Sequence, residues 1–244
     1  MESFQDQGIV LSTRPHGENG AVVALLCAGQ GRTAGYVRGA GGTRLRGTLE
    51  CGNLVDANWA SRVDGGLGAF TLELSRNYAA GFMQDPLKLG ALQAACALCD
   101  AALPEREAHA GLFHGLLALF ETLDSDVWGE AYVMWEVAFL KELGFSLDLS
   151  RCAGGGDDAD LAYVSPKTGR AVSAAAGAPY REKLLVLPGF LTGRQEDMKV
   201  EEGILYGLRM TGYFLEHWVF NHHSKGVPEA RIIFQQRFEV WLSR

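Results

Sequence analysis

The hydrophobic positions of the first eighty residues follow the short alternating pattern of β-strands. Apolar or alternating runs are separated there by glycine-rich turns, which is the usual punctuation of a β-domain. The predicted strands cover residues 8–14, 21–27, 33–38, 54–60 and 70–75. Five short strands at this spacing predict a small closed barrel or a β-sandwich.

From Pro86 onward the hydrophobic period changes to that of amphipathic helices, with Gly144 expected to cap one of them. The predicted helices cover residues 87–99, 112–123, 128–143, 200–221 and 232–242. The segment 150–183 is rich in glycine, alanine and aspartate and is expected to be irregular. We therefore expect an α+β protein of two domains, a β-barrel over residues 1–82 and an α-helical domain over residues 83–244.

The charge of the chain is unevenly distributed. Its 244 residues have a formal net charge of −7, so the molecule as a whole repels nucleic acid and any such contact must come from a local patch. Residues 1–62 contain no lysine and are slightly positive. The rest of the chain therefore carries the negative excess.

The glycine-rich segment 31–46 stands out because it contains four arginines and no acidic residue. Its backbone can approach a polyanion closely while guanidinium groups reach the phosphates. OB-fold barrels hold single strands with phosphates on cations and bases on aromatic rings, here Tyr36 or Trp59. The candidate DNA-contacting residues are Arg14, Arg32, Tyr36, Arg38, Arg44 and Arg46. A solvated loop without a ligand is the alternative interpretation.

The cysteines and histidines give little support to a metal or catalytic site. Cys96 and Cys99 have the spacing of a zinc or redox pair, but they fall within a helical apolar pattern, which favours burial. Cys152 has no second cysteine at zinc-ribbon spacing, and the histidines at 217–223 are typical of a helix C-terminus. No hydrolase, metalloprotease or P-loop motif is present. We expect no enzyme and no metal, with a histidine-dependent metalloenzyme as a rival hypothesis.

The N-terminus shows no basic and apolar leader, and no apolar run reaches the ~18 residues that span a bilayer. The five cysteines are an odd number without the spacing of a disulfide framework. A reducing cytoplasm is the expected location, without a membrane partner.

Two sets of short motifs in this sequence point to one known family. The N-terminal set is Gly8-Ile-Val-Leu-Ser, Gly17-Glu-Asn-Gly and Gly31-Arg-x3-Tyr-Val-Arg-Gly-Ala, followed by Arg44 and Arg46. The later set is Leu103-Pro-Glu-Arg-Glu, Phe139-Leu-x3-Gly-Phe-x-Leu-Asp-Leu-x-x-Cys, Tyr163-Val-Ser-Pro-Lys-Thr-Gly and Leu187-Pro-x-Phe. The first set resembles the N-terminus, and the second the helical domain, of the RecO family of bacterial DNA-repair proteins, and of its alphaproteobacterial members most of all. The resemblance covers nearly the full length, in order.

This resemblance implies an N-terminal OB-fold, an α-helical C-terminal domain and a nucleoid-associated protein without nucleotide hydrolysis. Family members bind single- and double-stranded DNA and anneal complementary strands. They help load RecA onto DNA covered by single-strand-binding protein, working with RecR and often RecF. Some members hold zinc with four cysteines in the C-terminal domain, of which only Cys152 is present here, so segment 150–183 is expected to resemble a zinc ribbon depleted of cysteine.

The rival to a DNA-binding function is a protein adaptor. On this hypothesis the aromatic-rich stretch 204–220 binds a partner peptide, and the N-terminal arginines are merely solvated. The aromatic residues concerned are Tyr206, Tyr213, Phe214, Trp218 and Phe220. A helix that buries these rings in its own core is the simpler interpretation of the same pattern.

Overall fold

A computed structural model describes residues 2–63, 65–194 and 198–244 of the chain, and leaves the side chain of Arg44 undescribed. By its internal contacts the chain divides into two compact units. The first comprises Met1–Phe120 and Pro228–Phe234, and the second comprises Glu121–Val227 and Gln235–Arg244. The domain boundary that the sequence places between residues 82 and 83 stays a prediction.

The first unit contains a closed five-stranded barrel. Its strands are β1 (Glu2–His16), β2 (Gly20–Cys27), β3 (Gly31–Arg38), β4 (Leu54–Ser61) and β5 (Ala69–Arg76). The order around the barrel is β1-β2-β3-β5-β4, and β1 closes it by pairing with both β2 and β4. β3 and β5 run parallel, and the Tyr36 N–H donates to the Gly68 carbonyl over 3.0 Å at their junction. The expected OB-fold barrel is confirmed, with a first strand longer than the pattern predicted.

Inward-facing residues fill the barrel because the side chains of a strand alternate between its two faces. The buried core consists of Val10, Ala21, Val23, Leu25, Cys27, Val37, Leu49, Val55, Ala57, Trp59, Phe70 and Leu72. On β5, Phe70 and Leu72 are buried as the alternation predicts, whereas Leu74 is exposed.

Four helices complete the first unit up to its boundary. They are α1 (Thr43–Thr48), α2 (Tyr78–Gly81), α3 (Pro86–Ala102) and α4 (Ala110–Thr122). α1 was not predicted, and it places Leu45 and Leu49 against the barrel core. α3 begins where expected, because the Asp85 carboxylate accepts hydrogen bonds from two first-turn N–H groups and Pro86 occupies the first helical position.

α3 packs on the outside of β1 and β2. Leu26 shows the effect, since its position on β2 points away from the barrel core and yet it is fully buried. Cys96 and Cys99 lie on the buried side of α3, as expected, and burial raises the pKa of both thiols. Part of the outer barrel surface is therefore covered by protein.

The second unit combines helices with a small sheet. Its elements are α5 (Trp128–Glu142), β6 (Leu161–Val164), β7 (Ala171–Ser173), α6 (Ala174–Gly177), β8 (Leu185–Val186), α7 (Val200–Phe214) and α8 (Glu229–Leu242), which begins in the first unit. The strands form a sheet in the order β7-β6-β8. The expectation of an irregular segment at 150–183 was wrong for β6 and β7, because strands of four and three residues are too short to show a period. No helix among the described residues is both long and apolar enough to cross a bilayer.

Candidate nucleic-acid interface

The strand register brings Arg14 and Tyr36 onto one outer face of the barrel. Arg14 on β1 pairs with Val22 on β2, and Val22 pairs with Tyr36 on β3. Residues directly opposite each other in an antiparallel pair share a face. Since Gly35 and Val37 are buried inward, Tyr36 faces outward together with Val22 and Arg14.

The next row along the same face contains His16, Gly20 and Arg38, because Gly20 pairs with both of the others. His16 and Arg38 are exposed, and the His16 ring meets the Tyr36 ring edge-on with centroids 6.1 Å apart. A Cβ atom on Gly20 would lie 2.1 Å from the Tyr36 hydroxyl. The glycine therefore lets the half-buried tyrosine ring lie directly on β2.

Arg14 and Arg32 differ from the other candidates because both bind the carboxylate of Asp100 on α3. Arg14 Nη2 lies 3.0 Å from one carboxylate oxygen, and Arg32 Nε lies 2.9 Å from the other. Arg32 Nη1 also lies 3.3 Å from Glu105, and only 17% of the Arg32 side chain is exposed, against 70% for Arg14. Arg32 thus links the barrel to α3, and the carboxylates of Asp100 and Glu105 neutralise its charge.

Arg38 and Arg46 are exposed, and no carboxylate among the described residues lies within ion-pair distance of either. Arg44 also lies on α1, two residues before Arg46 in the sequence, but its side chain is outside the described part of the chain. The six predicted residues therefore fall into two groups. Arg14 and Arg32 bind Asp100, whereas Tyr36, Arg38, Arg44 and Arg46 belong to the C-terminal part of β3 and to α1. Their contact with DNA stays a prediction.

A surface groove of about 370 Å³ lies between α1 and the β1–β2 turn. Arg46 and Gly20 both line this groove, and the Pro15 and Ala21 positions of its lining lie in the inward-facing row that includes Val37, on the opposite face from Tyr36. A hydrogen bond from the Thr13 hydroxyl to the Leu49 carbonyl, 2.9 Å long, joins β1 to the residue after α1 on the groove lining. The groove is therefore bordered both by β1 and β2 and by the loops before and after α1.

Trp59 cannot offer its ring to a base, so that part of the prediction was wrong. Its side chain is 1% exposed, it stacks on Phe4 with centroids 5.2 Å apart, and the Arg106 guanidinium covers it at 4.5 Å. The indole N–H donates to the carbonyls of Ala34 and Leu67. An alternating strand pattern does not show which of its two faces is the core, and here Trp59 lies on the inner one.

Sequence reasoning missed two features of this surface. His16 could have been found, since the short turn after it fixes the register that places it beside Gly20 and Tyr36. Asp100 could not, because 86 residues separate it from Arg14 and 68 from Arg32. No local pattern reports such a pairing.

The residues around Cys152 do not fit the four-cysteine zinc site of some RecO proteins. Its sulfur accepts hydrogen bonds from the N–H groups of Gly156 and Ser173, at 3.3 and 3.2 Å. The Ser173 hydroxyl lies 3.4 Å from the sulfur, and these donors lower the pKa of the thiol to about 7, with Ser173 contributing most. Among the described residues no three Cys, His, Asp or Glu side chains are arranged to hold a metal.

The aromatic residues of α7 and of the single π-helical turn after it, Leu215–Val219, are divided between core and surface. Phe214 and Phe220 are buried, so neither is available to a partner peptide. Tyr213 is half-buried and stacks on His217 with ring centroids 4.0 Å apart. Of the five aromatic residues in the adaptor hypothesis, only the three that are not buried remain available to a partner peptide.

Comparison with known proteins gives matches along almost the whole chain. The model of the family "Recombination protein O N terminal" matches residues 1–78, and that of "Recombination protein O C terminal" matches residues 83–225. A DNA repair protein RecO of Rhodospirillum centenum is 52% identical over 96% of this chain and 94% of its own length. Proteins of the same name from Rhodospirillum rubrum and Caulobacter vibrioides are each 45% identical, over 99% and 94% of this chain and 98% and 94% of theirs.

Proposed function

The chain belongs to the RecO family of DNA repair proteins, and on that premise we propose that it is a recombination mediator that binds DNA through its barrel. It binds single- and double-stranded DNA, anneals complementary strands and helps load RecA onto DNA coated with single-strand-binding protein. RecR and, in some settings, RecF are its partners, and it acts at the nucleoid. Annealing requires no catalytic side chain, since neutralised phosphates and strands held side by side are sufficient. We therefore propose a protein without enzymatic activity or bound metal.

The observation that carries this proposal is that Tyr36 and Arg38 share an outward face of β3, while Arg46 is exposed on the nearby α1. The two arginines are free to meet phosphates, and the half-buried Tyr36 ring lies on the same face as Arg38. Arginine forks suit phosphate oxygens, and an aromatic ring accepts any base by stacking. Strands β2 and β3 are also the face with which OB-folds hold oligonucleotides.

The net charge of −7 limits how DNA can bind. A molecule that repels polyanions overall must concentrate its contacts on local cations, and in the barrel Arg38 at the end of β3 and Arg46 on α1 are exposed cations of this kind. Each phosphate neutralised on a single strand contributes about 0.7 to the slope of log K against log salt. The slope of log K against log salt therefore reports how many arginines contact phosphates.

The test is the double substitution of Arg38→Ala with Arg46→Ala. Because two phosphate contacts are lost, the salt slope for single-stranded DNA should flatten by about 1.4, and affinity at low salt should fall. Fluorescence anisotropy at several salt concentrations measures both quantities. The same variant should anneal complementary oligonucleotides more slowly.

Arg237→Ala is the matched control, since Arg237 is an exposed arginine on α8 in the second unit. It should leave the slope unchanged, and thermal unfolding should be similar for all these proteins. An unaltered slope in the double variant would refute DNA contact by this surface.

A further inference from the structure

We propose that the groove between α1 and the β1–β2 turn is a pocket for one unstacked nucleobase that carries an exocyclic amino group. The inference rests on the proposed function and adds to it a site with a stated ligand chemistry. Ligand pockets in proteins span roughly 300–1,000 Å³, so a groove of about 370 Å³ suits a single ring system rather than a helix or a long peptide.

The groove lies on the other side of β2 from the Tyr36 ring. Gly20 lies beneath that ring and also lines the groove, whereas Pro15 and Ala21 of the lining belong to the inward-facing row of the strands. The groove and the Tyr36 ring are therefore two separate contacts for a strand that passes around this end of the barrel. Arg46 lies on the groove's α1 side and can meet the next phosphate or a base carbonyl.

The polar lining selects a base over a phosphate. Glu18 and Glu50 line the groove, and two carboxylates disfavour an anionic group there. The apolar side chains of Pro15 and Leu49 also line it and suit the faces of a flat ring. A nucleobase is therefore a better occupant than the phosphate backbone.

The same carboxylates select among bases because an ionised carboxylate only accepts hydrogen bonds. Cytosine and adenine present an amino group to such acceptors, whereas thymine presents a carbonyl in its place. The guanidinium of Arg46 only donates, and the O2 atom of cytosine is a suitable acceptor for it. Cytosine therefore satisfies the carboxylates with the two N–H donors of its amino group and Arg46 with its O2 atom, whereas thymine offers the carboxylates only its single ring N–H.

Gly41→Leu tests the proposal by filling the groove. Gly41 lines it, and a Cβ atom added there meets nothing within 4 Å. Gly47→Leu is the matched control, because Gly47 lies on α1 with equally open space but does not line the groove. The probes are single-stranded oligo-dC, oligo-dT and an abasic oligomer of one length, measured by anisotropy at mildly alkaline pH.

We expect the full-length protein to bind oligo-dC roughly five- to tenfold tighter than oligo-dT, as one well-placed base contact provides. Gly41→Leu should remove that difference and leave the salt slope unchanged, while Gly47→Leu keeps both. Equal affinity of the unaltered protein for oligo-dC and oligo-dT would overturn the proposal. So would an equal loss of affinity for all three probes in Gly41→Leu, since the groove would then follow the backbone.

A second pair of variants keeps the test decisive if Gly41→Leu unfolds. Glu18→Gln and Glu50→Gln preserve side-chain size but add an amide donor, so the ratio of oligo-dC to oligo-dT affinity should fall towards one. An unchanged ratio in both variants contradicts the assignment. Failure of the proposed function looks different, because then no probe binds the unaltered protein in a salt-dependent way.

Discussion

Replacing Asp100 by asparagine should loosen the first unit and at the same time strengthen its binding to single-stranded DNA. The substitution keeps the shape of the side chain but removes the negative charge between Arg14 and Arg32. The exposed Arg14 guanidinium then becomes available to phosphates, whereas Arg32 stays paired with Glu105. A loss of stability combined with a gain of affinity is not expected from a residue that only packs.

The structure gives the size of both effects. The Arg14 pair is largely exposed, so it contributes about 0–1 kcal/mol, whereas the shielded bond between Arg32 and Asp100 is worth about 1.5–3 kcal/mol. Glu105 still binds Arg32, so a net loss of about 2 kcal/mol is expected, which lowers Tm by roughly 4–8 °C in a chain of this length. The one freed arginine, Arg14, should steepen the salt slope by about 0.7.

Anisotropy in a salt series and thermal unfolding measure the two effects on the same protein. Asp126→Asn is the control, because it removes an exposed carboxylate and changes the net charge equally. Adding Arg14→Ala to the Asp100→Asn variant should remove the extra slope. A destabilised Asp100→Asn variant with an unchanged slope would refute the reasoning, and Arg14 and Arg32 would then have only a structural role.

Two further predictions concern one residue each, Trp59 in the first unit and Cys152 in the second. Trp59→Ala should cost about 3–5 kcal/mol of unfolding free energy in a denaturant titration, because a buried indole is removed from the barrel core, while the salt slope of DNA binding stays the same. A stable Trp59→Ala variant with weakened binding would restore the stacking hypothesis. Cys152 should react with iodoacetamide at a rate that rises with pH through a midpoint near 7, since hydrogen bonds from Ser173 lower the pKa of its thiol to about 7. Ser173→Ala should move that midpoint upward when labelling is followed by mass spectrometry, and a midpoint near the ordinary thiol value before substitution would contradict the structure.

The barrel was predictable because its signal is local. Apolar or alternating runs bounded by glycine turns predicted all five strands of the OB-fold. The burial of Gly35 and Val37 in the structure then shows that Tyr36 lies on the outward face of β3. α1 was not predicted because it has only six residues and follows a glycine-rich segment. Only Leu45 and Leu49, the residue after the helix, indicate its buried side. A helix this short forms by packing on the barrel rather than by its own period.

The candidate site was predictable only where one element supplies it. Tyr36 and Arg38 lie two residues apart on one strand, so alternation places them on one face. The neutralisation of Arg32 depends on Asp100 and Glu105, which belong to a helix and a loop far along the chain. A count of arginines therefore overstated the number of cations available to DNA.

That correction changes what kind of DNA binding to expect. With Arg14 and Arg32 held by Asp100, the proposed phosphate contacts reduce to Arg38, Arg46 and, by sequence, Arg44. Three contacts on a single strand give a slope of about 2, so raising salt from 50 to 200 mM should weaken binding only roughly tenfold to twentyfold. On the proposed function, affinity for single strands must then come substantially from bases, on Tyr36 and in the groove. Such contacts require unpaired bases, so the barrel should bind single strands more tightly than the duplex that they form, which is the order of affinities that strand annealing requires.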